Sequence, residues 1–405
     1  MKRRLSVLCL LIAAIAVAVV VAGCGGSSSS SSSSGESTEA APAEESSGGE
    51  EAAGSEPADT SEGSSGKGGG MKVGFVYISP LPGSAWSEAW DATRKSLETK
   101  FGAETTVVQP IEENTEVVGV LQGLVREGNE LIFATALGYQ PYVEQVAEEN
   151  PEVDFVVTGP WLQETELPPN VSAVYANLWE VRYLTGMIAG AMTKSNTLGF
   201  VSAFSVSSVV AGINGFELGA KATNPEAKTK VVFTSAWYNP PQNTQAAETL
   251  AKSGADVIAK HQDDTGAIIG AEQSGAWAIG SEYDTSTQNP KAFLTGSAYN
   301  WEPYSIEKYE QAEKGTFKND EVNGSLESGM VELAPINSAV PASVVKEVEK
   351  AEAEMKAGKL FVFSGPLKSN TGEEVLKAGE AWKEPAEVYE NSEFLVEGIE
   401  GKIQE

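Results

Sequence analysis

The chain has 405 residues, a formal net charge of −29, 41% hydrophobic residues and a mean hydropathy of −0.18. That length suits two domains of ordinary size around sizeable cores. The acidity argues against nucleic acid, whose binders need cationic surface to displace counterions, and against a basic patch held to anionic lipid. Cysteine catalysis and a multi-Cys/His zinc site are also excluded from the folded body, because the two cysteines, Cys9 and Cys24, lie ahead of it and His261 is the one histidine.

Met1-Lys-Arg-Arg4 is a basic start, residues 5–22 are almost wholly apolar, and Val21-Ala-Gly-Cys24 closes the run with small residues before a cysteine. This is the secretory pattern, and its last four residues resemble a bacterial lipobox. The resemblance implies a signal peptide over residues 1–23 and a diacylglycerol on Cys24, which would anchor the chain on the outer face of the cell membrane. Residues 27–34 are all serine, and the stretch to Gly70 is mainly Ser, Gly, Ala, Pro and Glu, without an aromatic residue. Such a segment cannot bury enough apolar surface to offset its chain entropy, so residues 24–70 are expected to form a disordered tether.

From Lys72 strands and helices alternate. Residues 72–78 form a short β-rich apolar run, stopped by Pro80, Pro82 and Gly83. The helix that follows, to Phe101, carries Trp90 and Leu97 on one stripe, with Arg94 among them and so partly buried and paired. Strands are expected at 105–109, 131–134 and 154–158, with helices at 115–127 and 140–150 between them. A second series repeats the alternation: helix 181–192, strand 197–202, helix 208–223, strand 230–234, helix 243–253, strand 257–259, helix 265–274, and strands 277–280 and 293–296. Helices at 303–314 and 341–357 and a strand at 360–363 complete it. This alternation predicts an α/β chain with doubly wound parallel sheets in two similar lobes. The first lobe is assigned residues 71–178 plus about 293–325, and the second 179–292 plus about 326–366. Residues 367–405 are read as a mostly exposed extension.

In such sheets ligands sit beyond the carboxyl ends of the strands, and two lobes would hold one in the cleft between them. The loops at those ends carry Trp86, the turn Thr135-Ala-Leu-Gly138-Tyr139, Trp161, Phe204, Trp237 with Tyr238, Asp263 with Asp264, Glu282 with Asp284, and Tyr299-Asn-Trp301. Flat aromatic faces with a few carboxylates suit a planar, neutral or weakly cationic ring: aromatics stack on it, and carboxylates accept from its N–H groups. Of the adjacent acids, one is expected to cap the helix near Thr265 and the other, Asp263, to face the ligand. Trp90 and Trp277 read as core. His261 reads as a polar residue at a strand end, and no Gly-x-Ser-x-Gly elbow accompanies it.

The residues from Lys72 to about Pro366 resemble the basic membrane protein (BMP) family of lipoproteins, substrate-binding proteins of ABC transporters that take up purines and nucleosides. The matching stretches include Ala85-Trp86 with Asp91 and Arg94, Phe133-Ala-Thr with Gly138-Tyr139, Glu180-Val-Arg-Tyr-Leu-Thr-Gly186, Gly212-Ile-Asn-Gly-Phe216, Trp237-Tyr-Asn-Pro240, Gly254-Ala-Asp-Val-Ile258 with His261 and Asp263, and Asn300-Trp-Glu-Pro-Tyr304. The resemblance implies a two-lobed type I periplasmic-binding-protein fold. It also implies stacking on a purine base from both lobes, by Trp86 and Trp237, and an acidic contact from Asp263. The expected ligand set is Trp86, Gly138, Tyr139, Trp237, Asp263, Glu282, Asp284 and Trp301, with no cofactor, metal or catalytic residue. Tryptophans at these positions look closest to adenine-type binders, whereas nucleoside binders tend to carry a lysine where this chain has Tyr299-Asn-Trp301. The implied partner is an ABC permease, and the expected state is a monomer. Two other functions fit the same cleft: a ligand sensor for a membrane signalling partner, and a secreted nucleoside hydrolase that would use a pair of cleft carboxylates.

Overall fold

The computed structural model describes residues 69–159, 166–288 and 291–404. The signal segment, Cys24, nearly all of the tether and Trp161 lie outside these residues. Among the described residues no helix is long and apolar enough to cross a membrane.

The first series of elements is β1 (Lys72–Val76), α1 (Ala85–Phe101), β2 (Glu104–Val108), α2 (Glu116–Arg126), β3 (Leu131–Ala134), α3 (Gln140–Glu149), β4 (Asp154–Thr158) and β5 (Val171–Ala176). Its strands pair in parallel around β1 and β3, whose inner residues are fully buried, as sheets covered on both faces require. Ser84 caps α1 by accepting from the Ser87 amide, and Gly102 ends it in the left-handed conformation at φ 67°. Arg94 pairs with Asp91 at 2.6 Å and Glu98 at 2.5 Å from a half-buried position, as its place on the stripe predicts.

The second series is α4 (Leu178–Met192), β6 (Thr197–Ser202), α5 (Ser207–Thr223), β7 (Lys228–Phe233), α6 (Pro240–Lys252), β8 (Val257–His261), α7 (Gly266–Gln273), β9 (Trp277–Glu282) and β10 (Phe293–Tyr299). After it come α8 (Glu302–Glu313), β11 (Glu321–Gly324), β12 (Val331–Leu333) and α9 (Ala342–Lys356). The C-terminal segment adds β13 (Leu367–Lys368), β14 (Glu374–Leu376), α10 (Pro385–Asn391) and β15 (Ile399–Glu400).

A six-stranded sheet runs β11-β5-β4-β3-β1-β2, a seven-stranded sheet runs β12-β10-β9-β8-β6-β7-β15, and β13 and β14 pair as a separate ribbon. Residues 293–299, expected in the first lobe, therefore belong to the second: β10 pairs in parallel with β9 and antiparallel with β12. The chain returns to the first lobe only after Tyr299, where α8 leads to β11 beside β5. Two of the crossings are tied together, Asn177 N–H donating to Gly324 O at 2.7 Å, and Asn300 N–H donates to Met330 O at 2.9 Å. The strand expected at 360–363 is irregular backbone. Residues 367–404 are exposed along more than half of their length, as expected, but they are docked on the body rather than extended from it. Val388, Tyr389, Leu395, Val396 and Ile399 are buried, and β15 adds a parallel strand to the edge of β7.

Helices α4 and α5 approach unusually closely. A Cβ at Gly219 would fall 1.9 Å from Tyr183 O, and one at Gly186 would fall 2.0 Å from Phe216 O. These glycines let α4, which starts just past a crossing, lie directly against α5.

Candidate functional site

Between the six-stranded and the seven-stranded sheet lies a cavity that opens to solvent. It is lined by Ile78, Trp86, Glu113, Ala136, Leu137, Tyr175, Trp237, His261, Asp263 and Glu282. The structure thus brings together Trp86, Trp237, Asp263 and Glu282 of the expected set, from both lobes and from the carboxyl ends of their strands.

Trp86 occupies the second position of α1. Its indole N–H donates to Thr135 O at 2.6 Å, and its ring stands edge-on to Tyr299 (5.3 Å, 89°) and Trp301 (5.8 Å, 74°). Two restraints of different kinds therefore fix the plane of a ring that borders the cavity. Trp237 faces from the second lobe, in the loop between β7 and α6. It is partly exposed and leans on Phe204 at 5.2 Å.

Asp263 joins the lobes. Its amide donates to Trp237 O at 2.9 Å, its carbonyl accepts from the Ala85 amide at 2.6 Å, and its carboxylate accepts from the Ser79 hydroxyl. Neighbouring Asp264 does the capping: it accepts from the Gly266 and Asn239 amides and from Asn243 Nδ2, at 2.7–2.8 Å. Glu282 ends β9 at φ 76°, a left-handed conformation that costs a non-glycine residue about 1–3 kcal/mol and is met mostly at functional sites.

The site is electrically dense. Lys260 Nζ lies 3.8 Å and His261 Nε2 3.9 Å from the Glu282 carboxylate, and Arg182 donates to Ser281 Oγ at 2.5 Å. All are buried. Burial, then the charge of Glu282, pushes Asp263 well above the usual carboxylate range. Burial also raises Glu282, although Lys260 and Arg182 oppose the shift. Burial, with Arg182 and Lys260 adding to it, holds His261 well below its ordinary value, so the imidazole is neutral. Raised values at both acids favour their protonated forms, so the cavity wall can both accept and donate hydrogen bonds. Among the described residues no group of three or more His, Cys, Asp or Glu is arranged to hold a metal ion.

Four expected ligand residues do not line the cavity. Trp301 is fully buried, stacked between Trp90 (4.6 Å, 8°) and Tyr299 (4.6 Å, 16°), so it backs Trp86. Tyr139 turns into the first lobe's core, and its hydroxyl donates to Ile111 O. Gly138 acts through its neighbour: its amide donates to Glu113 Oε1 at 2.7 Å, and a Cβ there would come 2.9 Å from Glu113. Asp284 closes a turn by accepting from the Ser286 amide at 2.9 Å. Conversely, Glu113, Tyr175 and His261 line the cavity without having been chosen. His261 was visible at the end of a strand. Tyr175 lies in a strand whose position the alternation did not mark.

A cleft between two parallel-sheet lobes, with aromatic rings and carboxylates at the strand ends, defines a solute-binding protein of the type I periplasmic-binding-protein fold. A solved ABC transporter solute-binding protein from Conexibacter woesei shares that fold with a TM-score of 0.62, at 23% identity over 72% of this chain and 97% of its own. The chain belongs to the BMP family: the family described as "ABC transporter substrate-binding protein PnrA-like" matches residues 71–362. A purine-binding protein of Brucella abortus is 35% identical over 82% of this chain and 94% of its own length. A putative ABC transporter glucose-binding protein of Haloferax volcanii is 29% identical over 85% and 84%. The chain is thus an ABC transporter solute-binding protein.

Proposed function

We propose that the chain captures a purine base of the adenine type between Trp86 and Trp237 and passes it to an ABC permease from a lipid anchor on Cys24. The observation that carries this reading is the pair of indoles from opposite lobes bordering one cavity, with Asp263 beside them. A flat ring meets an aromatic face from each side at about 0.5–1.5 kcal/mol per stack beyond its burial. Its N–H groups find acceptors in Asp263 and Glu282, and its ring nitrogens a donor in the protonated member of that pair or in neutral His261. Lys260 does not line the cavity, and its ammonium donates to Gln262 O. The wall thus presents carboxylates rather than free cations, which disfavours a phosphorylated ligand. The Brucella relative's name supports a purine, and the Haloferax relative's name makes glucose the competitor to exclude.

Calorimetric titration of the mature chain with adenine, guanosine and glucose tests the assignment. Saturable binding of adenine, with guanosine weaker and glucose silent, is the expected result. Glucose binding without adenine binding would overturn it. Release of free base from guanosine would turn the reading to hydrolysis.

A further inference from the structure

Residues 367–404 lie beyond the stretch that defines the family, yet they touch the site's supports at two separate places. The first is a crossing between lobes. The Tyr389 ring, 1% exposed, packs edge-on to Trp179 (4.8 Å, 78°) and to Tyr175 (6.1 Å, 70°). Tyr175 lines the cavity from the end of β5 in the first lobe, and Trp179 opens α4 in the second. One ring therefore touches both sides of the crossing at residues 176–178. It is presented by α10, a helix with a complete capping box, Glu384 and Glu387, so its position is also fixed from within the C-terminal segment.

The second place is the base of the second lobe's aromatic wall. Gln404 exchanges backbone hydrogen bonds with the Ser205 hydroxyl at 3.1 and 3.3 Å, and its side-chain amide donates to Ser235 Oγ at 2.8 Å. Ser205 follows Phe204, and Ser235 stands two residues before Trp237 at φ 56°, a conformation that costs a serine. Phe204 and Trp237 are the pair that leans together at the cavity. Between the two contacts the C-terminal segment is fastened to α5, Asn214 donating to Phe394 O at 2.8 Å and accepting from the Val396 amide at 2.9 Å, and to β7 through β15.

We propose that this C-terminal segment is a positioning strap for the ligand site: Tyr389 holds the Tyr175–Trp179 crossing in its closed geometry, and Gln404 holds the loop that aims Trp237. Neither residue touches the ligand. Both act on the fraction of molecules whose cleft is closed with Trp237 in place, and apparent affinity scales with that fraction. The inference rests on the cleft being the ligand site, and it takes adenine as its probe from the proposed function.

The test compares Tyr389→Ala, Tyr389→Phe and Gln404→Ala with Trp382→Ala. Trp382 is a strap residue that packs on Phe363 and Phe394, away from both contacts. The first readout needs no ligand. Hydrogen exchange at the Ala85 amide, which donates across the cleft to Asp263, reports closure, and amides of β8 report global stability. Tyr389→Ala should speed exchange at Ala85 about tenfold while β8 stays protected, and should raise the adenine Kd by a like factor. Tyr389→Phe, which keeps the ring, should restore both values. Gln404→Ala should raise the Kd several-fold through a faster off-rate, with an unchanged melting temperature. Trp382→Ala should lower the melting temperature with exchange at Ala85 and Kd unmoved. Wild-type exchange at Ala85 in Tyr389→Ala, or equal effects in Trp382→Ala, would overturn the strap. A wild-type chain that ignores adenine would overturn the purine reading, and the exchange readout would still decide the strap.

Discussion

At the scale of single residues, two tryptophans at strand ends separate into different roles by depth. Trp237 is partly exposed and leans on one neighbour, whereas Trp301 is fully buried between two stacked rings. Trp237→Ala should therefore weaken adenine binding about tenfold, equivalent to about 1.4 kcal/mol, with little change in melting temperature. Trp301→Ala should instead cost about 3–5 kcal/mol of stability, because it empties a core site that cannot collapse around four aromatic neighbours. Titration and thermal melting of the two variants read both effects, and equal melting temperatures would misplace Trp301. Sequence position could not draw this line. Trp86, Trp237 and Trp301 all follow strands, and the alternation of elements says nothing of how deep a loop sits. Composition did identify the kind of site, since the residues that line the cavity include two of the tryptophans and two of the acids picked out from strand ends.

At the scale of elements, the contact between α4 and α5 transmits to the cleft, because α4 begins at the crossing and α5 anchors the strap. Gly219→Ala places a Cβ against a backbone carbonyl, which cannot rotate away, so the helices must part. Overpacking of this kind typically costs about 1–3 kcal/mol. The expected outcome is a lower denaturant midpoint with an unchanged slope, together with weaker adenine binding as Trp179 moves away from Tyr389. The variant at Gly254, with φ 104° and open space around it, is the contrast: Gly254→Ala should lose stability through backbone strain but leave binding intact. The small residues of α4 were legible as a pattern in the sequence, but their partner was not, since nothing local names the helix that lies on top. The same limit explains β10. Its apolar residues mark a strand, but membership of a sheet depends on the register with β9. The strap escaped because its strands are two or three residues long and carry no period to recognise.

At the scale of the whole molecule, the strap also covers an acid. Glu217 of α5 is fully buried and accepts from Thr229 Oγ1 at 2.6 Å, with Lys221 Nζ 3.8 Å away. Gly398 of the strap, at φ 109°, lies so close that a Cβ there would come 2.0 Å from Glu217 Oε1. Burial raises this carboxyl from its ordinary 4.5 to about 7, against the Thr229 hydrogen bonds and the charges of Lys221 and Lys228. Between those two values the folded chain holds a proton that the unfolded chain has released. Stability therefore falls as pH rises through about 4.5 to 7 and levels off above, opposite in sign to a carboxylate whose value folding lowers. Other acids move as well: burial raises Asp154 to about 6, whereas at Asp91 burial pushes upward but Lys95 and Arg94 together outweigh it and hold the carboxyl below its ordinary value. The difference between wild type and Glu217→Gln isolates the one group. Denaturant midpoints measured from pH 5 to pH 8 should converge at the acid end, where the protonated acid and the amide are alike, and separate above pH 7 with the glutamine variant the more stable. Parallel curves would mean that Glu217 is ionised in the folded chain across the whole range.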